Sequence, residues 1–234
     1  MNSNKKPRVI AVIPCLNEEK FIAAIVTGAL PHVGRVLVVD DGSTDNTAAV
    51  ARAAGAQVIQ HGSRQGAGAA TRTGLEEALR ASAEVMVTLD GDGQHNPLEI
   101  PQLVQPITGR TADLVIGSRF LCAAAVPRYR KLGIDLITWM YNAGHNEKIT
   151  DAQSGFRAYS VKALKVISIT DAGFGFSVQS LVQARKHKLK IVEVPISCIY
   201  HNAGSTEDPL KHGTAVVLSV LRTRLSEEVI HKKR

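Results

Sequence analysis

The stretch Val85-Met86-Val87-Thr88-Leu89-Asp90-Gly91-Asp92-Gly93-Gln94-His95 contains a short apolar run that ends at two aspartates separated by one glycine. Its valines are β-branched, so the run predicts a buried strand with the acidic residues at its carboxyl end. Carboxylate and amide oxygens are the hard ligands that Mg²⁺ and Mn²⁺ prefer, and such ions often take further ligands from substrate phosphates. Asp-Gly pairs also favour plain turns. The stretch alone therefore predicts either a site for a metal-bound diphosphate or a polar turn.

The composition is that of one globular domain. Of the 234 residues, 44% are hydrophobic and 21% are charged, which fits a single α/β domain over residues 1–234 and argues against a disordered chain or a membrane bundle. No run is long and apolar enough to span a bilayer, and the polar start lacks the apolar core of a signal peptide, so we expect a cytoplasmic protein. Three scattered cysteines without a Cys-x-x-Cys pair indicate reduced thiols.

The charge of the chain bears on its partners. A net charge of +7 favours an anionic partner such as a nucleotide or an acidic lipid surface. Five Phe, four Tyr and one Trp leave little for base stacking, and no nucleic-acid-binding motif is present. We therefore expect no nucleic-acid partner.

Strand-like and helix-like segments alternate along the first half of the chain. Apolar, β-branched runs predict strands at residues 8–13, 36–39, 57–59, 85–89 and 113–116. Helical spacing follows most of them, and Asn17 is predicted to cap the first helix. The alternation predicts right-handed βαβ units, hence a mainly parallel sheet with helices on both faces and ligands bound at the carboxyl ends of the strands.

Polar clusters fall at those strand ends. Asp40 and Asp41 follow the second strand, and because one capping residue would suffice for the next helix, two adjacent carboxylates are better explained as part of a site. Gly66-x-Gly68 lacks the third glycine of a dinucleotide-binding motif and follows the third strand, so we reject that interpretation. A glycine-rich start to a helix can still hold an anionic group.

The second half of the chain is more basic at its start. Pro127-Arg128-Tyr129-Arg130-Lys131 leads into an apolar helix that carries Trp139. Further helices are predicted at residues 178–187 and 211–225, and a strand at residues 191–196. Basic clusters are usually solvated faces. The alternative, favoured by the pairing of basic and apolar residues, is peripheral docking on an anionic membrane surface at the inner membrane face.

Six motifs resemble, in order and spacing, the family 2 glycosyltransferases of the GT-A fold, and above all the polyprenyl-phosphate sugar transferases, a group that includes dolichyl-phosphate mannose synthase. They are Ile13-Pro14-Cys15-Leu16-Asn17-Glu18, Val39-Asp40-Asp41-Gly42-Ser43, Asp90-Gly91-Asp92-Gly93-Gln94-His95, Gly117-Ser118-Arg119-Phe120, Asp151-Ala152-Gln153-Ser154-Gly155-Phe156-Arg157 and Glu193-Val194-Pro195-Ile196. The resemblance implies that residues 8–120 form the nucleotide-sugar-binding half, residues 121–200 the acceptor side, and residues 201–234 a C-terminal loop and amphipathic helix.

The resemblance also implies an activity. A sugar would pass from a UDP- or GDP-sugar to polyprenyl or dolichyl phosphate, with Mg²⁺ or Mn²⁺ as the cofactor held by Asp92 and Gln94. The nucleotide sugar would contact Pro14, Leu16, Glu18, Val39, Asp41, Asp90, Gly91 and Arg119. The catalytic residues would be Asp90, Asp92, Arg119 and Asp151. Because a phosphate acceptor is already ionised, Asp151 would either position other residues or abstract a proton.

The chain departs from this family near its C-terminus. Where the synthases carry Arg and Lys around a Gly-x-Ser-Lys loop, His201 and Glu207 stand here. We assign acceptor contacts to Arg128, Arg130, His201 and Lys211. Two alternatives stay open: a glycosyltransferase that uses a soluble or polymer hydroxyl acceptor, and a catalytically silent nucleotide-sugar-binding module.

Overall fold

The computed structural model describes residues 8–122, 126, 128–173 and 175–199, with residues 128–130 described by their backbone alone. The strands in these ranges are β1 Val9–Cys15, β2 Arg35–Asp40, β3 Gln57–Gln60, β4 Val85–Thr88, β5 Leu114–Ser118, β6 Arg157–Ser160 and β7 Ile191–Pro195. The helices are α1 Ile22–Ala29, α2 Thr47–Ala53, α3 Ala67–Arg80, α4 Ile100–Thr108, α5 Arg128–Asn142, α6 Val161–Val166 and α7 Phe176–Lys186. Short 3-10 helices, Leu30–His32 and Pro97–Glu99, precede β2 and α4.

The strands form one sheet in the order β3-β2-β1-β4-β6-β5-β7. All neighbours are parallel except β6, which runs antiparallel to both β4 and β5. Arg157, the first residue of β6, pairs with Thr88 at the end of β4 and with Ile116 on β5. The loop that leads into β6 therefore lies at the same edge as the carboxyl ends of the parallel strands. The predicted mainly parallel α/β sheet is confirmed.

Two apolar layers enclose the sheet, because successive strand residues point to opposite faces. Val12, Leu37 and Met86 pack on one face with residues of α3, α5, α6 and α7. Val38 and Val87 pack on the other face with residues of α1, α2 and α4. Burying each such side chain contributes roughly 1.5–3 kcal/mol. The expected helices on both faces are thus confirmed.

The start of the first helix differs from the sequence-based prediction. α1 begins at Ile22, whereas Asn17 adopts a left-handed backbone with φ of 58°. Its side-chain oxygen accepts the N–H of Thr44 at 2.8 Å, so Asn17 joins the loops that follow β1 and β2 and caps no helix. Asn is several-fold enriched in this conformation compared with other non-glycine residues.

Other predicted elements have the expected type. The helix predicted at residues 178–187 corresponds to α7, and the strand predicted at residues 191–196 corresponds to β7. The helix predicted at residues 211–225 lies outside the described residues. In the part of the chain that the structure describes, no helix combines the length and the apolar character needed to cross a bilayer.

Candidate active site

The loop after β4 brings Asp92 and Gln94 into contact. Asp92 Oδ1 accepts the backbone N–H of Gln94 at 3.0 Å, and Oδ2 accepts its side-chain amide at 2.5 Å. The carbonyl of Gln94 accepts the N–H of Ile199 at 3.0 Å, which ties the loop to the segment after β7. The two side chains assigned to the metal from the sequence therefore lie together at the carboxyl edge of the sheet.

This donor set fits a divalent metal that takes most of its ligands from elsewhere. Among the described residues there is no group of three or more His, Cys, Asp or Glu side chains that would hold an ion alone. Mg²⁺ is commonly bound by one or two protein oxygens together with waters and substrate phosphates. Asp92 and Gln94 supply such oxygens, so a metal held here would depend on a phosphate-bearing ligand.

Negative charge is concentrated around this loop. Burial, together with the charges of Asp92, Asp45 and Asp90, raises the pKa of Glu18 to about 7. The side chain of Asp90 is 46% exposed. Desolvation by the surrounding protein raises the pKa of Asp90, while the charges of Arg119 and Arg157 act in the opposite direction. A cation would relieve the repulsion among these carboxylates.

His95, which the sequence analysis did not single out as a site residue, fixes the backbone of Asp90. The imidazole is buried, its Nδ1 accepts the N–H of Asp90 at 3.2 Å, and its ring packs against Phe156 at a centroid distance of 5.2 Å. Burial lowers the pKa of His95 to about 4, so the ring is neutral at physiological pH. An unprotonated Nδ1 is the form that can accept this hydrogen bond.

Glycines allow close packing at two places around the loop after β4, where Gly155 lies against Asp90 and Gly91 lies against Cys15. A Cβ placed on Gly155 would lie 2.4 Å from Asp90 Oδ1, and one placed on Gly91 would lie 2.8 Å from Cys15 Cβ. Gly155 belongs to the loop that leads into β6, and its carbonyl accepts the hydroxyl of Thr88 at 2.7 Å. The loops after β1, β4 and before β6 are thus packed together at the site.

Arg119 and Asp151 form a two-pronged ion pair. Arg119 Nε donates to Asp151 Oδ2 at 2.7 Å, and Nη2 donates to Oδ1 at 2.8 Å. Asp151 is fully buried, and its Oδ1 also accepts the N–H of Ser154 at 3.1 Å. Burial alone would raise the pKa of Asp151, but the hydrogen bonds and charge of Arg119 outweigh it and hold the pKa below its ordinary value. Asp151 is therefore ionised, and both of its oxygens already accept hydrogen bonds.

The residues expected to contact the nucleotide fall into two groups. Pro14, Leu16 and Glu18 are partly exposed near the carboxyl end of β1. Val39 is fully buried in the core, which leaves only its backbone for any ligand contact. Asp41 is also buried, and its carboxylate accepts the N–H groups of Gln65 and Gly66 at 2.9 and 2.7 Å. Contact of these residues with a nucleotide stays a prediction.

The start of α3 is paired within the protein. The carbonyl of Ala172 accepts the N–H groups of Gly68 and Ala69 at 2.9 and 3.4 Å. A Cβ on Gly68 would lie 2.0 Å from the carbonyl oxygen of Asp171, so glycine is needed for this close approach. The N–H groups of Gly68 and Ala69 therefore already have an acceptor, which argues against the expectation that this glycine-rich start holds an anion.

The acceptor residues are only partly covered by the described chain. Arg128 and Arg130 lie in the first turn of α5. His201 and Lys211 lie outside the described residues. α5 exposes an apolar stripe of three side chains, Leu132, Leu136 and Trp139, which are 74%, 49% and 67% exposed. Lys131 at its start lies 4.9 Å from the ring centroid of Phe120.

Arg157 is a further residue at the site whose role the sequence did not indicate. Its side chain is 1% exposed and donates to the carbonyls of Ser154, Ser177 and Ala152 at 2.8, 2.7 and 2.7 Å, and to Ser180 Oγ at 2.7 Å. The guanidinium thereby fastens the loop that leads into β6 to α7. In the sequence, Arg157 ends the motif at residues 151–157 that resembles the family 2 transferases, but the resemblance assigns no role to it.

A mainly parallel sheet with an acidic loop and an arginine at its carboxyl edge has the architecture of the GT-A sugar transferases. A model of the family "Glycosyl transferase family 2" matches residues 10–168. The chain belongs to this family and is a glycosyltransferase.

Named relatives and solved structures agree with this assignment. The UDP-N-acetylglucosamine–dolichyl-phosphate N-acetylglucosaminyltransferase of Methanococcus voltae is 34% identical, with 90% of this chain and 91% of the relative covered. The undecaprenyl-phosphate mannosyltransferase of Micrococcus luteus is 33% identical, with 86% and 87% covered. Mycobacterium tuberculosis glucosyl-3-phosphoglycerate synthase, solved with Mn²⁺, UDP-glucose and phosphoglyceric acid, shares the fold at a TM-score of 0.78 and 24% identity over 93% of this chain and 79% of its own.

Proposed function

We propose that this glycosyltransferase moves a sugar from a nucleotide-sugar donor to polyprenyl phosphate at a membrane face and that it requires a divalent metal. The observation that carries the proposal is the position of the Asp92–Gln94 pair and of Arg119 at the same carboxyl edge of the sheet, after β4 and β5. The charge of Arg119 acts on the pKa of Asp90, so the guanidinium lies within electrostatic reach of the acidic loop. Asp92 and Gln94 thus suit a metal-bound diphosphate, and Arg119 supplies a second positive charge to the same diphosphate.

The residues of the chain have separate tasks in this reaction. When bound at Asp92 and Gln94, Mg²⁺ or Mn²⁺ would neutralise charge on the diphosphate that leaves the sugar. Arg119 would stabilise the same developing charge. Asp151 holds Arg119 in place and does not act as a base, because it is buried, ionised and occupied. A phosphate acceptor needs no base, since it is already an anion.

Two features of the chain bear on the acceptor, its relatives and its exposed apolar helix α5. The names of two relatives include dolichyl phosphate and undecaprenyl phosphate. The exposed stripe Leu132, Leu136 and Trp139 on α5 offers apolar area for an interface, and the chain carries a net charge of +7. Basic residues near anionic lipid contribute about 1 kcal/mol each. We therefore infer peripheral docking of α5 on an anionic membrane, on the cytoplasmic side.

One assay tests the activity. Radiolabelled UDP-sugars and GDP-mannose are offered with a short polyprenyl phosphate in one tube and with water-soluble hydroxyl acceptors in another, and the products are partitioned into organic solvent. We expect label in the organic phase of the first tube only. Label that stays in water as a new glycoside would replace the lipid acceptor by a hydroxyl acceptor, and no transfer in either tube would contradict the proposal.

A second assay tests the docking surface. Flotation with vesicles of phosphatidylglycerol and phosphatidylcholine should show binding that falls as salt is raised. Replacing Leu136 and Trp139 by Ala should weaken it. Leu98→Ala is the matched control, because Leu98 is 65% exposed but lies outside α5. Equal binding of both variants would rule out the α5 stripe as the docking surface.

A further inference from the structure

A carboxylate on β7 holds the turn that carries Asp151. Glu193 Oε2 accepts the N–H of Thr150 at 2.8 Å, and Oε1 accepts both the Thr150 hydroxyl and the Asp151 N–H at 3.0 Å. The same Thr150 hydroxyl lies 2.6 Å from the hydroxyl of Ser118. Glu193 therefore receives three donors from two consecutive residues, and these residues lie immediately before the loop that leads into β6.

These contacts form a closed ring that includes Arg119 and Asp151. Arg119 directly follows β5, and β5 pairs with β7 in a register that places Ile116 opposite Glu193. From β5 the ring passes through Arg119 to Asp151, then through the backbone of Asp151 to Glu193, and back to β5 through the β7 ladder. The carboxylate of Asp151 thus holds the guanidinium of Arg119, and Glu193 holds the backbone N–H of Asp151.

We propose that Glu193 is a positioning residue for sugar transfer: it sets the place of Asp151 and, through Asp151, the orientation in which Arg119 meets the leaving diphosphate. This role rests on the proposed function. A carboxylate suits it because both oxygens only accept, so all three donors are satisfied without any donor being presented in return. The arrangement sets two carboxylates, Glu193 and Asp151, close together. Burial and this proximity raise the pKa of Glu193, and the three donors from Thr150 and Asp151 oppose this rise.

The substitution Glu193→Gln separates the two possibilities. A carboxamide keeps the size of the side chain but turns one acceptor into a donor, so it faces at least one N–H or hydroxyl of Thr150 or Asp151 with a like group. We expect kcat to fall about tenfold or more while the dissociation constant for UDP changes less than about threefold, because displacement of a positioned group acts on the chemical step.

Two further sets of variants keep the test informative. Thr150→Val removes the hydroxyl that joins Glu193 to Ser118, and we expect a smaller fall in kcat than in Glu193→Gln. Thr150→Ser keeps the hydroxyl, so its kcat should match that of the wild type. Asp113→Asn is the matched control: Asp113 accepts the N–H of Lys190 at 2.9 Å, so it also joins the β5 and β7 region, but before β5 begins rather than beside Arg119. Its kcat should equal that of the wild type.

An NMR measurement made without any acceptor substrate reports directly on the orientation of the Arg119 side chain. In ¹⁵N-labelled protein, the Nε–H signal of Arg119, assigned by its loss in Arg119→Lys, should shift and exchange faster with water in Glu193→Gln. The Nε–H of Arg157, which donates to the carbonyl of Ser154, serves as the internal reference and should stay in place.

The two proposals fail in different ways. If no sugar is transferred but the Arg119 signal responds to Glu193→Gln, the proposed acceptor is wrong and the positioning role stands. If transfer is observed, and both kcat and the Arg119 signal in Glu193→Gln match the wild type, the positioning role is overturned. Should Glu193→Gln not fold, the same readings are taken on Thr150→Val, where an unchanged signal and kcat overturn it.

Discussion

Gly155 lies directly against the carboxylate of Asp90, and any side chain at residue 155 would overlap both carboxylate oxygens, at 2.4 and 2.7 Å from its Cβ. The backbone of Gly155 does not have the positive φ that demands glycine, so the constraint comes from the space that Asp90 occupies. The loop before β6 thereby decides how far Asp90 can turn.

We predict that Gly155→Ala folds but loses activity. The added methyl group must displace the Asp90 carboxylate, and misplacement of a reacting group by about 1 Å can cost on the order of 100-fold in rate. Thermal unfolding and turnover are measured side by side, with Gly133→Ala as the control because nothing lies within 4 Å of a Cβ at that position. Full activity in Gly155→Ala would show that Asp90 does not need its present place.

Nucleotide binding should depend on a metal through Asp92. We expect the affinity for UDP, measured by calorimetry with Mn²⁺, to fall about tenfold or more in EDTA and in Asp92→Ala, because a divalent ion held by Asp92 and Gln94 would neutralise charge on the diphosphate. Glu84→Ala is the control, since it removes one negative charge that lies next to Arg8, at the start of β1. Equal affinity with and without metal would contradict the assignment of Asp92 and Gln94.

Arg119→Lys should separate charge from geometry. Lysine keeps a positive charge beside the buried Asp151 but cannot reproduce the fork that engages both of its oxygens. We expect the protein to fold and to bind UDP nearly as well as the wild type, while kcat falls on the order of 100-fold because the interaction strengthens in the transition state. Removing the side chain altogether, as in Arg119→Ala, would also leave Asp151 as an unpaired buried charge and lower the stability. Wild-type kcat in Arg119→Lys would argue against its role in the reaction.

Cys15 and Cys122 should differ in their reactivity. Burial and the charges of Asp40 and Glu18 raise the pKa of the Cys15 thiol far above its ordinary value, whereas Cys122 is exposed. Because the thiolate is the reacting species, iodoacetamide at pH 8 should modify Cys122 and spare Cys15. Peptide mass spectrometry checks this, with urea-unfolded protein as the control in which both react. Comparable labelling of the two in the folded protein would contradict the buried position of Cys15.

The contribution of Asp113 to stability should depend on pH. Burial opposes its ionisation, but the N–H of Lys190 and the ammonium of Lys162 outweigh burial and lower the pKa of Asp113. A carboxyl group whose pKa is lowered on folding stabilises the protein above its ordinary pKa, and this contribution is lost as the pH falls through the lowered value. Asp113→Asn should therefore cost about 1–2 kcal/mol at pH 7 and less near pH 2. Urea unfolding at both pH values measures it, and an equal cost at both would refute the linkage.

Much of the fold follows from local patterns in the sequence. The β-branched runs at β1, β2, β4 and β5 place the strands correctly, and the Asp90 to Gln94 loop lies at a strand end as the pattern indicates. A strand near residues 151–159 is indicated by the sequence, but its antiparallel insertion between β4 and β5 is not, because strand partners are set by distant chain segments.

Arg157 and Glu193 both belong to motifs that resemble the family, but the contacts by which they support the site are not visible in the sequence. Glu193 meets Thr150 across 43 residues of chain, and Arg157 is buried among carbonyls although arginine is normally a surface residue. Such contacts depend on how distant segments are brought together, which neither periodicity nor motif spacing reports.

The position of β6 has a consequence for the synthesis of the protein. Among the described strands, β5 is joined to the sheet only through β6 and β7, both of which come later in the chain. A nascent polypeptide that has reached residue 120 therefore carries β5 without any pairing partner and leaves one side of β4 open. Open strand edges promote aggregation. Until residues 157–160 have left the ribosome and filled the gap, the open side of β4 can pair with strands of other chains.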